Sequence, residues 1–303
     1  MPFQVSILGV NAALPAYSRF PTAQFLQAGG HYFLIDCGEG AQIQMQKFGL
    51  KKGRIDKIFI SHLHADHYAG LFSLLGTYVL QNREAPLTIY GPPGLEDITR
   101  LQLFYSGTNL PFPLDFVTLE DGFNVIFESD SWRAYSFPLQ HRVPTYGFLF
   151  REKNKKRKVI KEKVTGMNVP KEAFPYLKAG EDYTKDDQTF YAEELTRPPD
   201  PPLSYAYVSD TLYDPGIISY IHECSLLYHE ATFTTDFEEK AGRTMHTTAA
   251  QAAKIAVKAN AGKLLLGHFS TRFKDTSVFE EEAQKVFPDA LSAVEGQTYK
   301  IGS

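Results

Sequence analysis

The chain has 303 residues, 43% hydrophobic and 14% aromatic, with a formal net charge of −4, and so holds ample apolar material for a sizeable core. No apolar run approaches the roughly 20 residues that span a bilayer, and the opening MPFQVSILGVNAALP lacks the basic and apolar regions of a signal peptide; a soluble, cytoplasmic protein with no membrane partner is expected. Cys37 and Cys224 have no CxxC spacing, which argues against a disulfide framework and against a zinc ribbon.

In chain order, FQVSILGV alternates as a strand does, and HYFLIDCG and KIFISH are short apolar runs that stop at a glycine or a polar cluster. Between them EGAQIQMQKFGL has helical spacing at Ile43, Met45 and Phe48, and YAGLFSLLGTYVLQN predicts a second helix. PLTIYGPPG predicts a strand entering a turn and LEDITRLQLFYSG a helix, after which DFVTLE, FNVIFES, WRAYSFPLQH and TYGFLF predict a run of antiparallel strands. REKNKKRKVIKEK, residues 151–163, then holds eight Lys or Arg against two Glu, a net +6 on a chain whose remainder sums to about −10. A polyanion contact and a solvated basic hairpin both fit that concentration. RPPDPP closes the insertion, which reads as an arm rather than as a second catalytic domain. Afterwards LSYAYVSDT and ECSLLYHEAT predict strands, TTAAQAAKIAVKAN a helix with the Thr pair at its N-cap, and KLLLGHFS a last buried strand.

SHLHADHYAGL places His62, His64, Asp66 and His67 within six positions. In an extended segment His62 and His64 face one way and Leu63 the other, while a helix starting just afterwards carries Asp66 and His67 on its first turn, within reach of a second metal position. His141, Asp210 and His268 each fall at the tip of a predicted strand, so three distant strands deliver metal-type ligands. Imidazole and carboxylate without thiolate favour zinc, with manganese or iron as alternatives. A carboxylate from Asp210 bridging two ions roughly 3.5 Å apart would leave a hydroxide between them to attack phosphorus or a carbonyl carbon. His31 and His222 read as structural or surface positions, whereas His229, Glu230 and His246 sit where a side chain could enter the same cleft.

SHLHADHYAGL resembles the HxHxDH motif of the metallo-β-lactamase superfamily, and His141, Asp210 and His268 follow in the order of that fold's ligand series. Within the superfamily, LIDCGEGAQIQM, HEATF, MHTTAAQAA and GHFSTRF are similar to the hallmarks of ribonuclease Z, the endonuclease that trims the 3′ trailer from precursor tRNA. The likeness runs over most of residues 3–150 and 203–273. It implies an α/β fold, a four-layer αβ/βα sandwich with the site at the strand ends, as a single domain over residues 1–303 with an inserted flexible arm at 151–202, usually in a homodimer. It implies two zinc ions per subunit, one on His62, His64 and His141, the other on Asp66, His67 and His268, bridged by Asp210. Asp66 would orient or deprotonate the attacking water, and His246, aided by Glu230, would protonate the leaving 3′ oxygen. Arg272 and Thr271 would hold a phosphate. Substrate contacts are further expected from Arg19 in the N-terminal loop and from Lys155, Lys156, Arg157 and Lys158 in the arm, gripping precursor tRNA by shape. Position 65 is Ala where the family usually has Gly, and the N-terminal loop lacks the lysine and Arg-Asn step of many members. Two other readings share these residues: a phosphodiesterase of the same fold acting on small or cyclic phosphodiesters, and a non-catalytic RNA-binding relative, which the full ligand series disfavours.

Overall fold

The structure, a computed structural model, describes residues 2–302. Strands β1 (Phe3–Gly9), β2 (Ala23–Ala28), β3 (His31–Cys37), β4 (Lys57–Phe59), β5 (Leu87–Gly91) and β6 (Leu114–Thr118) come first, then β7 (Asn124–Glu128), β8 (Trp132–Leu139) and β9 (Thr145–Glu152). The insertion contributes β10 (Lys158–Val159), β11 (Tyr183–Lys185), β12 (Gln188–Phe190) and β13 (Thr196–Arg197). The chain then adds β14 (Ser204–Val208), β15 (Leu226–Glu230), β16 (Leu264–Gly267), β17 (Ala290–Ser292) and β18 (Thr298–Lys300). Two seven-stranded sheets result, ordered β18-β1-β2-β3-β4-β5-β6 and β17-β16-β15-β14-β9-β8-β7. Each is mixed, with parallel runs β3 to β6 and β14 to β17.

The inner faces of the sheets meet through aromatic rings, Phe33 on Phe150 at 5.6 Å and Phe59 on Phe148 at 5.5 Å, contacts that add directional preference to burial. On the outer face of the first sheet, Leu34, Ile58 and Ile89 pack with Leu71, Leu74 and Tyr78 of the helix Gly70–Leu80. Covered on both faces, the inner strands read as unbroken apolar runs, as parallel strands between two layers must. The helix Ala249–Lys258 covers the second sheet and starts on a capping box in which Thr248 and Gln251 satisfy each other's end groups.

Three sequence expectations change, the first being that Leu264–Gly267 is the last strand, since β17 and β18 follow it. Leu114–Thr118 does not open an antiparallel run; it pairs parallel to β5 and ends the first sheet, and the chain changes sheets before β7. Its pattern specified a strand but not a partner, and β5 offered an open edge. In the seven-residue helix Ala41–Lys47, Met45 is fully buried but Ile43 is 59% exposed, since two turns are too short for spacing to define a face.

Glu152–Leu203 forms a compact unit of its own. Its core is Val164, Val169, Leu177, Phe190 and Leu195, and its strands pair as β10 with β13 and β11 with β12. At its neck the Glu152 N–H donates to the Leu203 carbonyl at 2.9 Å, while Glu152 Oε2 accepts from the Leu203 N–H at 2.9 Å.

Candidate metal centre

The first four donors are placed by a loop and a short helix. β4 ends at Phe59, so His62 and His64 lie in the loop beyond the strand, and a bend, not strand pleat, sets their rings 4.7 Å apart. Asp66 and His67 follow on the helix Ala65–Tyr68. Helix and loop are drawn against the chain after β3 by glycines: a Cβ on Gly70 would fall 2.2 Å from the Gly38 carbonyl oxygen, and one on Gly38 would fall 2.5 Å from that of Asp66. Only glycine permits that approach. His141 and Asp210 stand two residues past β8 and β14, and His268 directly follows β16. Asp210 and His268 adopt left-handed backbone, with φ of 59° and 57°, a strain that non-glycine residues tolerate where function over-determines the conformation.

The donors form overlapping groups. His62, His64, His141 and Asp210 offer ligand atoms within 4.8 Å of one another, as do Asp66, His67 and His268, and Asp210 with His246 and His268. Asp210 faces both trios: Oδ2 lies 3.5 Å from His62 Nε2 and 3.8 Å from His141 Nε2, while Oδ1 lies 3.3 Å from His67 Nε2 and 3.1 Å from His268 Nε2.

Neighbouring groups fix which ring nitrogen faces inward. His67 Nδ1 donates to Asp36 Oδ2 at 2.7 Å, His268 Nδ1 to Thr232 Oγ1 at 2.9 Å and His141 Nδ1 to the Met245 carbonyl at 3.0 Å. His62 Nδ1 donates to Ser61 Oγ at 3.0 Å, which itself donates to Asp36. All four rings therefore present Nε2, the arrangement by which an outer layer orients metal-binding imidazoles. Asp36 is fully buried and anchored by the Ser61 N–H at 2.7 Å and the Tyr207 hydroxyl at 2.6 Å.

The charge balance asks for cations. Burial lowers His62, His64 and His141 below the ordinary imidazole value, favouring the neutral, ligating form. Burial works to raise Asp210, but His268, His67 and His62 outweigh it and hold the carboxyl well below its usual range. Asp66 is likewise held down by His67 and His268 against burial. Among the described residues, His62 Nε2 is buried without a hydrogen-bond partner, an expensive vacancy that a cation on the His62, His64, His141 and Asp210 group removes. The donor set of imidazoles and carboxylates fits divalent metal ions.

Comparisons with known proteins give the family. Residues 3–127 match a family profile described as Anti-Pycsar protein Apyc1. The Ribonuclease Z of Bacteroides fragilis is 42% identical over 295 residues, covering 97% of each chain. The chain belongs to the ribonuclease Z family. The crystal structure of the short form of human tRNase Z superposes with a TM-score of 0.73 at 28% identity, covering 99% of this chain and 100% of that one. The metallo-beta-lactamase fold protein YhfI of Bacillus subtilis reaches 0.69 at 19% identity over 99% of both chains. The two mixed sheets with helices outside are thus the α/β sandwich of the metallo-β-lactamase fold, and the chain is a metal-dependent hydrolase of the ribonuclease Z type.

The remaining predicted site residues divide. Glu230 is fully buried; its Oε1 accepts from the Thr211 N–H at 2.8 Å and from His246 Nδ1 at 2.9 Å, and its Oε2 accepts from Thr232 Oγ1 at 2.6 Å and the Thr247 N–H at 3.1 Å. Burial works to lower His246, but the Glu230 carboxylate carries it up to about 9. Thr271 and Arg272 lie in the turn after His268, with Arg272 exposed. Arg19 is part of the scaffold of its loop: its guanidinium donates to Asn11 Oδ1 at 2.7 Å and to the carbonyls of Phe273 at 2.5 Å and Lys274 at 2.9 Å. It ties the N-terminal loop to the turn bearing Arg272, and the same loop donates the Ala13 N–H to Asp66 Oδ2 at 2.7 Å. Ala65 sits in ordinary helical backbone, so nothing there requires the usual Gly of ribonuclease Z. His229 is buried with Nδ1 donating to the Glu230 carbonyl at 2.8 Å, outside the donor groups.

In the insertion, Lys155 pairs with Glu152 at 2.7 Å, Arg157 donates to Thr196 Oγ1 at 2.7 Å, Lys158 pairs with Asp200, and Lys156 is exposed. Eleven Lys and Arg meet ten Asp and Glu over residues 152–203, so the unit is nearly neutral overall with its positive charge gathered at one end of its sequence. Sequence reading missed Asp36, Ser61 and Thr232, which touch ligands rather than ligate. It also missed a second basic cluster: desolvation and the Arg272 and Arg243 charges push the Lys240 amine down, and Arg142 donates to the Arg243 carbonyl at 3.0 Å.

Proposed function

We propose that this chain removes the 3′ trailer from precursor tRNA by hydrolysing one phosphodiester, in the cytoplasm, with two zinc ions per subunit and as a homodimer. The observation that carries the reading is the set of two histidine-rich donor groups sharing Asp210, next to the Glu230–His246 pair, on a chain of the ribonuclease Z family. His62, His64 and His141 would hold one ion, Asp66, His67 and His268 the other, with Asp210 between. Bound metal ions supply Lewis acidity, activating water and offsetting phosphate charge.

The chain's own side chains divide the remaining work. Asp66, held by the Ala13 N–H, orients the attacking water and takes its proton. The water oxygen bonds to phosphorus as the bond from phosphorus to the 3′ oxygen breaks. His246, kept protonated by Glu230, gives that oxygen its proton, leaving a 3′ hydroxyl on the tRNA and a 5′ phosphate on the trailer. Thr271 and Arg272 hold a neighbouring phosphate, and the basic run Lys155, Lys156, Arg157 and Lys158 of the inserted arm adds sequence-independent affinity. Leu101, Phe104 and Tyr105 of the helix Leu95–Tyr105 are exposed apolar side chains that a homodimer contact could cover.

The deciding experiment incubates zinc-loaded protein with a precursor tRNA and maps the cut against the discriminator base. Asp66→Ala should bind the precursor but fail to cleave it; unchanged cleavage would sink the mechanism. A variant lacking residues 152–203 that trims precursor tRNA as well as the full chain does would remove the arm from the reading.

A further inference from the structure

A cleft of about 450 Å³ opens beside His141, lined by Pro138, Leu139, Gln140, Asp214, Tyr220 and Met245. The size is that of a small-ligand site. Apart from His141 it presents no cationic side chain, so it suits an uncharged, flat, partly apolar group rather than a phosphate.

Its one tyrosine is braced by other rings. Tyr220 stacks on Phe123 at 5.2 Å and 9°, Phe123 stacks on Tyr135 at 4.7 Å and 1°, and Tyr220 leans on the fully buried Phe137 at 5.4 Å. A ring already immobilised loses little rotamer freedom when something binds to it. Met245 is fixed too: it ends the helix Glu238–Thr244 in left-handed backbone, φ 58°, and its carbonyl holds His141 Nδ1 while its side chain lines the cleft. Asp214 supplies an acceptor at the rim, one oxygen already taking the Gly216 N–H at 2.7 Å. Cations stand beside the cleft in the chain, Arg142 next to His141 and Arg243 two residues before Met245, joined at 3.0 Å.

A mixed polar and apolar lining with one tyrosine ring, an acceptor at the rim, and arginines adjacent in sequence to His141 and Met245 match a nucleotide, its base inside and its phosphate outside. The geometry points to this cleft as the seat of the base immediately 5′ of the scissile bond, an inference that rests on the proposed function. The side is set by His246, which follows Met245 in sequence and whose ring is 5.3 Å from that of His141; as donor to the leaving 3′ oxygen it stands next to the sugar that bears this base.

The test uses three versions of one precursor tRNA, intact, abasic at the nucleotide 5′ of the cut, and abasic at the nucleotide 3′ of it. Wild type, Tyr220→Leu and Met245→Ala are compared by single-turnover kcat/KM. Losing a base stacked on an aromatic ring costs roughly tenfold or more. Tyr220→Leu should therefore lose about that, and Met245→Ala, which removes an apolar lining residue but no ring, a smaller several-fold amount, on the intact and 3′-abasic substrates, with nothing further on the 5′-abasic one. Met245→Ala leaves the aromatic stack untouched and keeps the test decisive if Tyr220→Leu does not fold. Equal losses on all three substrates, or a loss masked only by the 3′-abasic site, would overturn the inference while the proposed function stands. Failure of wild type to cut the intact precursor would overturn both.

Discussion

The metal centre and the inserted unit are both rich in charged side chains, yet they treat charge in opposite ways. In the centre, each inward carboxylate meets several imidazoles, and the imidazoles of His62, His67, His141 and His268 are each held by a partner behind them, as Asp36 holds His67 and Thr232 holds His268. In the insertion, Lys155 and Lys158 are paired on the surface with Glu152 and Asp200, contacts worth little in water. One region uses geometry that a single substitution spoils; the other uses numbers of charges that can be lost one at a time.

Substitutions should grade accordingly. The largest effect among those that spare every proposed ligand belongs to His246→Ala: a loss of about 10²–10⁴ in kcat with bound metal unchanged, read by single-turnover cleavage and metal analysis. Loss of metal instead would make His246 a ligand and not a proton donor. Next comes Asp36→Asn, which touches no substrate but loosens His67 and His62 through Ser61; metal affinity should fall roughly 10–100-fold in competition with a chelator. Simultaneous replacement of Lys155, Lys156, Arg157 and Lys158 by Ala should raise KM several-fold, leave kcat alone and flatten the salt dependence of binding by fewer than four phosphate equivalents, since three of the four already have partners within the unit. A collapse of kcat there would erase the contrast between the regions.

The smallest effect concerns stability. Glu295, away from the metal centre, accepts from the Phe20 N–H at 2.6 Å and Gln44 Nε2 at 2.8 Å, yet burial pushes its carboxyl from 4.5 up to about 7. The folded state thus holds this proton more tightly than the unfolded chain, so its contribution is full below pH 4.5 and is lost as pH rises through about 7. Glu295→Gln should flatten the fall in melting temperature across that window. An unaltered pH profile would show that the carboxyl titrates normally.

Much of this was legible in the sequence because the ligands obey a spacing rule. His62 through His67 sit within one turn of chain, and His141, Asp210 and His268 follow apolar strands whose burial on both faces makes them easy to see. Asp36, Ser61 and Thr232 carry no such signature: each is an ordinary polar residue until folding brings a ring against it. Arg19 has a structural partner set that the sequence did not signal. The family resemblance pointed to Arg19 as a substrate contact, while its planar fork also serves carbonyl oxygens and here binds the backbone at 273–274. The basic run was visible as composition, whereas the acidic residues that balance it lie up to some forty positions later, joined to it only by the fold of the unit.

The neck of the insertion has a consequence for how this chain can be altered. Arg151 and Ser204 are cross-strand partners in the antiparallel pair β9 and β14, and the next residues, Glu152 and Leu203, are still hydrogen-bonded to each other. In topological terms everything between them is the loop of a β-hairpin, grown to domain size. A two-residue Asn-Gly turn is the natural closure for such a hairpin, and a chain closed that way is expected to keep the register of both strands, and with it the positions of His141 and Asp210.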